Sequence, residues 1–288
     1  MTVNTVWQVG ATLGEGPVWD AGNACLWFVD IKGRKVHRLD PATGDRRSWD
    51  APAQIGWVLP AEGGCLLAGM QTGLSRFDPE SGTFSHLVEV EPNRPGNRLN
   101  DATVGPDGTV WFGSMDDAET DATGHVYRWD GATVIQTAIP AVMITNGPAL
   151  TPDGQKLYHV DTAGGIIHAV PVAPDGSTGT PAEFARIAPA DGNPDGPTVD
   201  SQGNVWVGLW GGGRARCYAP DGTLRSEVAL PASNVTKIAL GGPDLKTAYA
   251  TTARIGLDAQ TLEREPLAGS VFSFAVDVAG QEVPLARL

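Results

Sequence analysis

The stretch NPDGPTVDSQGNVWVG, residues 193–208, decides the fold of this chain. It predicts a short strand, a tight turn at 201–203 and a second strand through Val205, Trp206 and Val207, because turn residues separate two runs rich in β-branched and aromatic side chains. An acid, Asp195, stands just before the first predicted strand. This short unit is the element from which the rest of the chain can be interpreted.

Five further copies of the strand–turn–strand unit begin near residues 15, 55, 100, 146 and 235. Each copy continues through a glycine into a third strand and, after another turn, into a fourth and weaker one. The units repeat every roughly 40 to 48 residues, which is typical of a four-stranded propeller blade. The repeat is measured between the central residues of the second strands: Trp27, Leu67, Trp111, Tyr158, Trp206 and Tyr249.

The repeat predicts an all-β six-bladed β-propeller with four-stranded antiparallel blades. No stretch has sustained helical periodicity, and no linker interrupts the units, so we expect one domain over residues 1–288. A pair of β-sandwiches is the alternative, but six units with one internal order favour the propeller. The aromatic residues of the second strands, such as Trp27 and Trp111, are then expected to pack between blades.

Composition narrows the classes of partner. The chain has 41% hydrophobic and 18% charged residues with 37 glycines, a globular and turn-rich balance. Its net charge of −13 argues against nucleic acid or a membrane surface as a partner. No signal peptide or membrane-spanning run is visible, and Cys25, Cys65 and Cys217 fit reduced, buried thiols. We expect a cytoplasmic protein that is a monomer or a weak oligomer.

Four polar residues occupy the place of Asp195 in their units: Glu15, Asn100, Asn146 and Asp195 itself. Each precedes the central residue of its second strand by eleven or twelve positions. The innermost strand of a blade lines the central channel, so all four are expected at one depth and at one mouth of that channel.

Two carboxylates and two amides on one axis suit a hard divalent cation, which prefers oxygen ligands. The alternative is an inner ring of hydrogen bonds that only holds the blades together. Other chemistry finds no support, since the five histidines have no zinc-type spacing and the chain has neither a Gly-x-Ser-x-Gly elbow nor a Walker loop.

Five motifs follow one another along the chain: LGEGP at 13–17, NRLND at 97–101, TNGP at 145–148, PDG at 194–196 and NVTK at 234–237. In this order they resemble the SMP-30/gluconolactonase/regucalcin family from end to end. The segments 241–247 and 251–254 look most like bacterial pentonolactonases of the xylonolactonase type.

The resemblance implies a sugar lactonase with one divalent metal ion, acting on a pentonolactone such as xylonolactone or arabinonolactone. Glu15, Asn146 and Asp195 match the metal ligands of the family, and Asp195 also matches its proposed proton acceptor. Arg98 and Asn100 match its substrate-binding residues. Bacterial members that resemble this chain are associated with Fe²⁺, while animal relatives accept Ca²⁺, Zn²⁺ or Mn²⁺.

One departure leaves a residue unassigned. Some relatives carry a substrate-contacting Glu after the segment that matches 113–115. Here the run contains Asp116, Asp117 and Glu119, and which of these acids, if any, takes that role is open. The segment 114–123 is a candidate lid or a plain surface loop. Two alternative functions remain. One is a non-catalytic propeller that binds a protein partner, and the other is a phosphotriesterase- or arylesterase-like propeller hydrolase.

Overall fold

The computed structural model describes residues 2–288, and within them it contains twenty-four strands, one short α-helix and two single-turn 3-10 helices, Glu62–Gly64 and Pro189–Asp191. The prediction of an all-β chain is confirmed. The strands are β1 (Asn4–Trp7), β2 (Gly14–Asp20), β3 (Cys25–Asp30), β4 (Lys35–Leu39), β5 (Arg46–Asp50), β6 (Ile55–Pro60), β7 (Leu66–Met70), β8 (Gly73–Asp78), β9 (Thr83–Val88), β10 (Asn97–Val104), β11 (Val110–Asp116), β12 (Val126–Trp129), β13 (Val134–Gln136), β14 (Thr145–Leu150), β15 (Lys156–Asp161), β16 (Ile166–Pro171), β17 (Ala182–Arg186), β18 (Asn193–Val199), β19 (Val205–Trp210), β20 (Arg214–Tyr218), β21 (Leu224–Ala229), β22 (Asn234–Gly241), β23 (Thr247–Ala253) and β24 (Val271–Ala275). The helix α1 spans Ala259–Arg264, and the side chain of Asp258 caps its first turn.

Sixteen of the strands form four separate antiparallel sheets of four strands each, which are units 1 to 4: β2–β5, β6–β9, β10–β13 and β14–β17. The other eight form one sheet in the order β1-β24-β23-β22-β18-β19-β20-β21. Its two antiparallel halves meet through a single parallel pairing, between Gly196 and Lys237. We name the half with β18–β21 unit 5, and the half with β22–β24 and β1 unit 6.

Unit 6 differs from its prediction. A fourth strand was expected after β24, and instead the N-terminal strand β1 pairs with β24, with Asn4 opposite Ser273. Because β1 comes from the other end of the chain, this pairing joins the two ends in one sheet and covers the outer edge of β24.

The first strands of the six units form a closed ring. Each of β2, β6, β10, β14 and β18 lies against the first strand of the next unit, and β22 lies against β2. Strands β2, β6, β14 and β22 are buried along their whole length, whereas the outer strands β5 and β9 are largely exposed. Polar side chains on the inner strands therefore need partners or a function, since unpaired polar groups are costly to bury.

The second-strand aromatics pack between units, as expected. Trp206 of unit 5 is buried in a cluster with Phe272 and Phe274 of unit 6, and its ring lies 5.8 Å from that of Phe274. Trp111 of unit 3 is buried with Leu150 and Leu157 of unit 4.

Every first strand loses its register with the second strand at the same point. In each case two residues of the first strand are bypassed, or one in β6, which is the pattern of a β-bulge. The shifts lie between Glu15 and Val18, Ile55 and Trp57, Leu99 and Ala102, Asn146 and Ala149, Pro194 and Pro197, and Val235 and Ile238. The six bulges divide the ring into two ends.

The chain's last residues cross one of these ends. Gln281 donates from Nε2 to the carbonyl oxygens of Val199 (3.0 Å) and Leu150 (3.4 Å), and Ala286 donates its backbone N–H to Pro60 at 2.8 Å. Beneath the segment 281–284 lies a chamber of about 180 Å³, lined mainly by first-strand residues that follow the bulges. We call this the apolar end of the ring.

Cys25, Cys65 and Cys217 are buried free thiols, as predicted. In the part of the chain that is described, residues 2–288, no helix has the length and apolar character needed to cross a membrane.

Candidate functional site

The four polar residues singled out from the sequence lie together at the other end of the ring. Glu15, Asn100, Asn146 and Asp195 are all at most 5% exposed. Asn100 Nδ2 donates to Asn146 Oδ1 at 3.0 Å, and the carboxyls of Glu15 and Asp195 are close enough to share a hydrogen bond. We call this set the polar end of the ring.

The bulges place these residues in two register classes. Glu15 and Asn146 are the last paired residues before their bulges, opposite Val29 and Val160. Asn100 and Asp195 are the first residues inside theirs. The residues of the first class stand twelve positions before the centre of their second strand, and those of the second class stand eleven. The one-residue difference in spacing therefore tells whether a residue lies just before its bulge or first inside it.

The two carboxyls at the polar end are buried with few hydrogen-bond donors to stabilise their negative charges. Burial, followed by the nearby charge of Asp101, raises the pKa of Glu15 to about 8. Burial, followed by the charges of Glu15 and Asp101, raises the pKa of Asp195 well above its usual value. Gly16 donates its backbone N–H to Glu15 at 2.9 Å, but Asp195 Oδ1 has no hydrogen-bond partner within residues 2–288. Two facing carboxyls with so few donors fit a bound cation.

Asn146 is oriented to present its oxygen to the same place. Its Nδ2 donates to Thr162 Oγ1 at 2.9 Å, so Oδ1 is the atom that faces Asn100. That oxygen retains one free lone pair. Among residues 2–288 there is no cluster of three His, Cys, Asp or Glu side chains that could hold a metal ion. A cation would therefore have the two carboxyls and the Asn146 amide oxygen as ligands, a donor set that suits a hard divalent ion.

Arg98 extends the polar end outward. Its Nη1 donates to Asn100 Oδ1 at 2.5 Å and its Nε donates to Asp117 Oδ1 at 2.7 Å. Lys32 Nζ and Gln54 Nε2 also donate to Asp117, at 2.6 and 2.9 Å. The structure thus joins the two predicted substrate-binding residues, Arg98 and Asn100, and holds Arg98 with a carboxylate that two other units also contact.

Of the three acids that the sequence left open, Asp117 is the one beside Arg98. Asp116 instead accepts from the backbone N–H groups of Thr120 (2.8 Å) and Asp121 (3.0 Å), and these bonds lower its pKa to about 2. Glu119 is exposed, with a positive φ of 55°. The sequence could not separate neighbouring acids, because the direction of the turn decides which of them faces Arg98.

The candidate lid, residues 114–123, is hydrogen-bonded at both ends. Ser114 Oγ donates to Glu91 at 2.9 Å, and Tyr127 OH donates to the same carboxylate oxygen at 2.6 Å. Thr123 Oγ1 donates to Asn97 Oδ1 at 2.8 Å. These bonds fix the segment against the residues that precede Arg98.

Two charged residues near the polar end had no predicted role. Asp101 and Lys237 both stood in quoted motifs, but nothing in their local sequence indicated that they meet. Lys237 Nζ bonds Asp101 Oδ1 at 2.5 Å, and both side chains are buried.

Comparison with known proteins adds the family. The family model described as SMP-30/Gluconolactonase/LRE-like region matches residues 13–254. A 6-deoxy-6-sulfogluconolactonase of Pseudomonas putida is 33% identical and covers 99% of this chain and 98% of its own. An L-arabinolactonase of Azospirillum brasilense is 36% identical, with 91% and 87% covered. A solved calcium-binding protein, regucalcin, from Agrobacterium tumefaciens is 28% identical, with a TM-score of 0.95 over 100% of this chain and 98% of that one.

Relatives at this identity over nearly the whole chain are named sugar lactonases, which bears out the prediction of an enzyme of that class. The five motifs, the match over residues 13–254 and the shared all-β architecture agree. The chain therefore belongs to the SMP-30/gluconolactonase/LRE-like family.

Proposed function

We propose that this protein is a six-bladed β-propeller, a single domain over residues 1–288, that hydrolyses a sugar lactone to the aldonic acid. The closed ring of six first strands, each followed by an antiparallel set, supports the count of blades. The observation on which the function rests is the pair of buried, facing carboxyls, Glu15 and Asp195, beside the amide oxygens at one end of that ring.

One divalent metal ion would be held by Glu15, Asn146 and Asp195. Of the possible ions, the family resemblance favours Fe²⁺, and Zn²⁺, Mn²⁺ or Ca²⁺ suit the same oxygen ligands. When bound, the ion supplies Lewis acidity toward a carbonyl oxygen. The raised pKa of both carboxyls supports this assignment, since a cation would remove the cost of ionising them side by side.

Asp195 is the proposed general base. Its Oδ1 has no hydrogen-bond partner within residues 2–288, so this oxygen is available to a water molecule. Asp195 takes a proton from that water as the water oxygen bonds to the lactone carbonyl carbon. It returns the proton to the ring oxygen as the bond between carbonyl carbon and ring oxygen breaks.

Arg98 and Asn100 are the proposed substrate-binding residues. Arg98 has donors beyond those bonded to Asn100 and Asp117, and it can offer these to sugar hydroxyls. Lys32 and Gln54 fix the Asp117 carboxylate, and Asp117 holds the guanidinium in place, which would orient the sugar ring. Asp117 could also contact the sugar itself.

The substrate we propose is a pentonolactone such as xylonolactone or arabinonolactone. The L-arabinolactonase relative supports a five-carbon sugar, while the 6-deoxy-6-sulfogluconolactonase relative is the reason to test a six-carbon sugar as well. The net charge of −13 argues against a nucleic-acid or membrane partner. The three free, buried thiols fit a cytoplasmic protein, and we expect a monomer or a weak oligomer.

A lactone panel with added metal tests the proposal. Metal-free protein would be assayed with xylono-, arabinono- and gluconolactone and with a phosphotriester, with and without Fe²⁺, Mn²⁺, Zn²⁺ or Ca²⁺. We expect metal-dependent opening of a lactone above the rate without enzyme. Turnover of the phosphotriester alone would indicate the esterase-like alternative, and no turnover at all would favour a protein-binding scaffold.

A further inference from the structure

Asp101 and Lys237 form a buried ion pair directly beside the polar end. Lys237 Nζ donates to Asp101 Oδ1 at 2.5 Å and to the carbonyl oxygen of Ala102 at 3.2 Å. The Asp101 carboxylate is fixed by two backbone donors, Ala102 N–H at 2.7 Å and Gly147 N–H at 2.9 Å. A buried pair of this kind is held by its geometry, and each charge depends on the other.

The pair touches the neighbours of three site residues. Asp101 follows Asn100, and its partner Gly147 follows Asn146. The aliphatic stem of Lys237 crosses Gly196, which follows Asp195: a Cβ on that glycine would lie only 2.7 Å from Lys237 Cγ. This glycine is thus required by the close approach of the lysine.

The charge of Lys237 also acts on one site carboxyl. It lowers the pKa of Glu15, which the charge of Asp101 raises, and Asp101 and Glu15 both act on Asp195. The lysine ammonium has three N–H donors on a flexible stem, and the contacts with Asp101 and Ala102 engage two of them. Without a carboxylate at position 101, the lysine would still act on Glu15, the neighbour of Asp195.

We propose that Asp101 is a positioning residue that holds Lys237 away from Glu15 and Asp195, so that a divalent cation can bind between them. Lys237 is an internal cation that would otherwise neutralise the two carboxyls. Its bond to Asp101 prevents it from competing with the metal ion. The inference rests on the proposed metal site and specifies which of the chain's own charges regulates access to it.

The test is divalent-cation binding measured by calorimetry, with Mn²⁺ titrated into the metal-free full-length chain. Asp101→Asn releases the lysine, and we expect affinity to fall by about tenfold or more, within the range seen for residues that support metal ligands. Lys237→Met removes the competitor, and we expect undiminished affinity together with a lower melting temperature, because Asp101 is left buried and unpaired. The double variant Asp101→Asn/Lys237→Met is expected to regain the affinity that Asp101→Asn loses.

Asp200→Asn is the matched control. Asp200 is as buried as Asp101, but it bonds Asn204 and local backbone N–H groups in the turn between β18 and β19, and no lysine among residues 2–288 bonds to it. A variant with a purely structural defect there should melt earlier and bind Mn²⁺ as the wild type does.

The outcomes separate the two proposals. A wild-type chain that binds none of the divalent ions overturns the metal site and this inference together. Wild-type binding with equal affinity in Asp101→Asn, or a double variant no better than Asp101→Asn, overturns this inference alone. If Asp101→Asn does not fold, Lys237→Met decides, because a lysine that supports the ligands would lower affinity when removed.

Discussion

The two ends of the same six strands differ in chemistry. At the polar end, residues just before the bulges or first inside them bring carboxyls and amides into contact with one another. At the apolar end, the strands present Pro17, Val18, Leu150, Val199 and Leu240 to a chamber that residues 281–284 cover. The bulges mark the boundary between the two ends, because they interrupt the regular pairing with the second strand at the position of the polar side chains. We therefore place the proposed reaction at the polar end and expect the apolar end to serve packing.

The six units also contribute unequally to the polar end. Units 1, 3, 4 and 5 supply Glu15, Asn100, Asn146 and Asp195, while unit 2 has Gly56 at its bulge. A Cβ at Gly56 would lie 2.5 Å from the carbonyl oxygen of Leu99, so the close approach of β6 to β10 leaves no room for a side chain there. Unit 6 contributes Lys237, which is bonded to Asp101.

The largest difference between the polar and apolar ends is expected when an acidic side chain is neutralised at each of them. Asp195→Asn or Glu15→Gln should lower lactone turnover by about 10²–10⁴-fold, the range for loss of a general acid or base, while circular dichroism shows an intact fold. Glu282→Gln removes an exposed acid at the apolar end and should leave turnover unchanged. Wild-type rates in Asp195→Asn, after subtraction of spontaneous lactone opening, would refute the assignment.

A buried polar side chain outside both ends should affect stability and not catalysis. His37 of β4 lies among Trp7, Phe28 and Ser48, with Asp30 and Lys35 nearby, and burial lowers its pKa from 6.5 to about 4. The unfolded chain therefore binds the extra proton first as pH falls. Between about pH 6.5 and 4 this residue alone should remove about 3 kcal/mol from the free energy of unfolding.

Denaturant unfolding of the wild type and His37→Phe at several pH values measures this difference. The gap between the two should shift in favour of the variant as pH falls. His86→Gln, at an exposed position, should follow the wild type. Parallel pH dependence in wild type and His37→Phe would contradict a neutral, buried His37.

A smaller effect is expected at the outer part of the polar end. Asp117→Asn weakens the hold on Arg98 and Lys32, and the loss of a charged hydrogen bond of about 1.5 kcal/mol predicts a roughly tenfold higher KM with little change in kcat. Glu119→Gln, two residues away and exposed, is the control and should leave KM unchanged. An unchanged KM in Asp117→Asn would remove that carboxylate from the site.

The smallest effect is expected at the apolar end. Gln281→Ala deletes two hydrogen bonds to Val199 and Leu150 and should lower the free energy of unfolding by about 1 kcal/mol. Steady-state constants should not move, because the proposed reaction takes place at the polar end. A changed kcat in a stable Gln281→Ala protein would mean that the two ends are coupled.

The sequence was sufficient for the units and for the polar end, because both follow from local patterns. Turn residues and alternating apolar runs mark each unit. The spacing of eleven or twelve residues already reflected the bulges, because Asp195 lies inside its bulge and Glu15 lies just before its own. The partner of β24 was not predictable in the same way, since β1 lies at the other end of the chain.

Contacts that depend on closure of the ring could not be predicted from the sequence. Asp101 and Lys237 are 136 residues apart, and only the ring brings their strands together. Asp117 was indistinguishable from Asp116 and Glu119 until the turn after β11 showed which acid faces Arg98.

The most direct test of the metal site is a crystal structure of the protein grown with Mn²⁺, with the anomalous signal of the metal measured. One strong peak is expected at the polar end, within coordination distance of Glu15, Asn146 Oδ1 and Asp195. No peak there, in crystals of protein that hydrolyses a lactone, would contradict it.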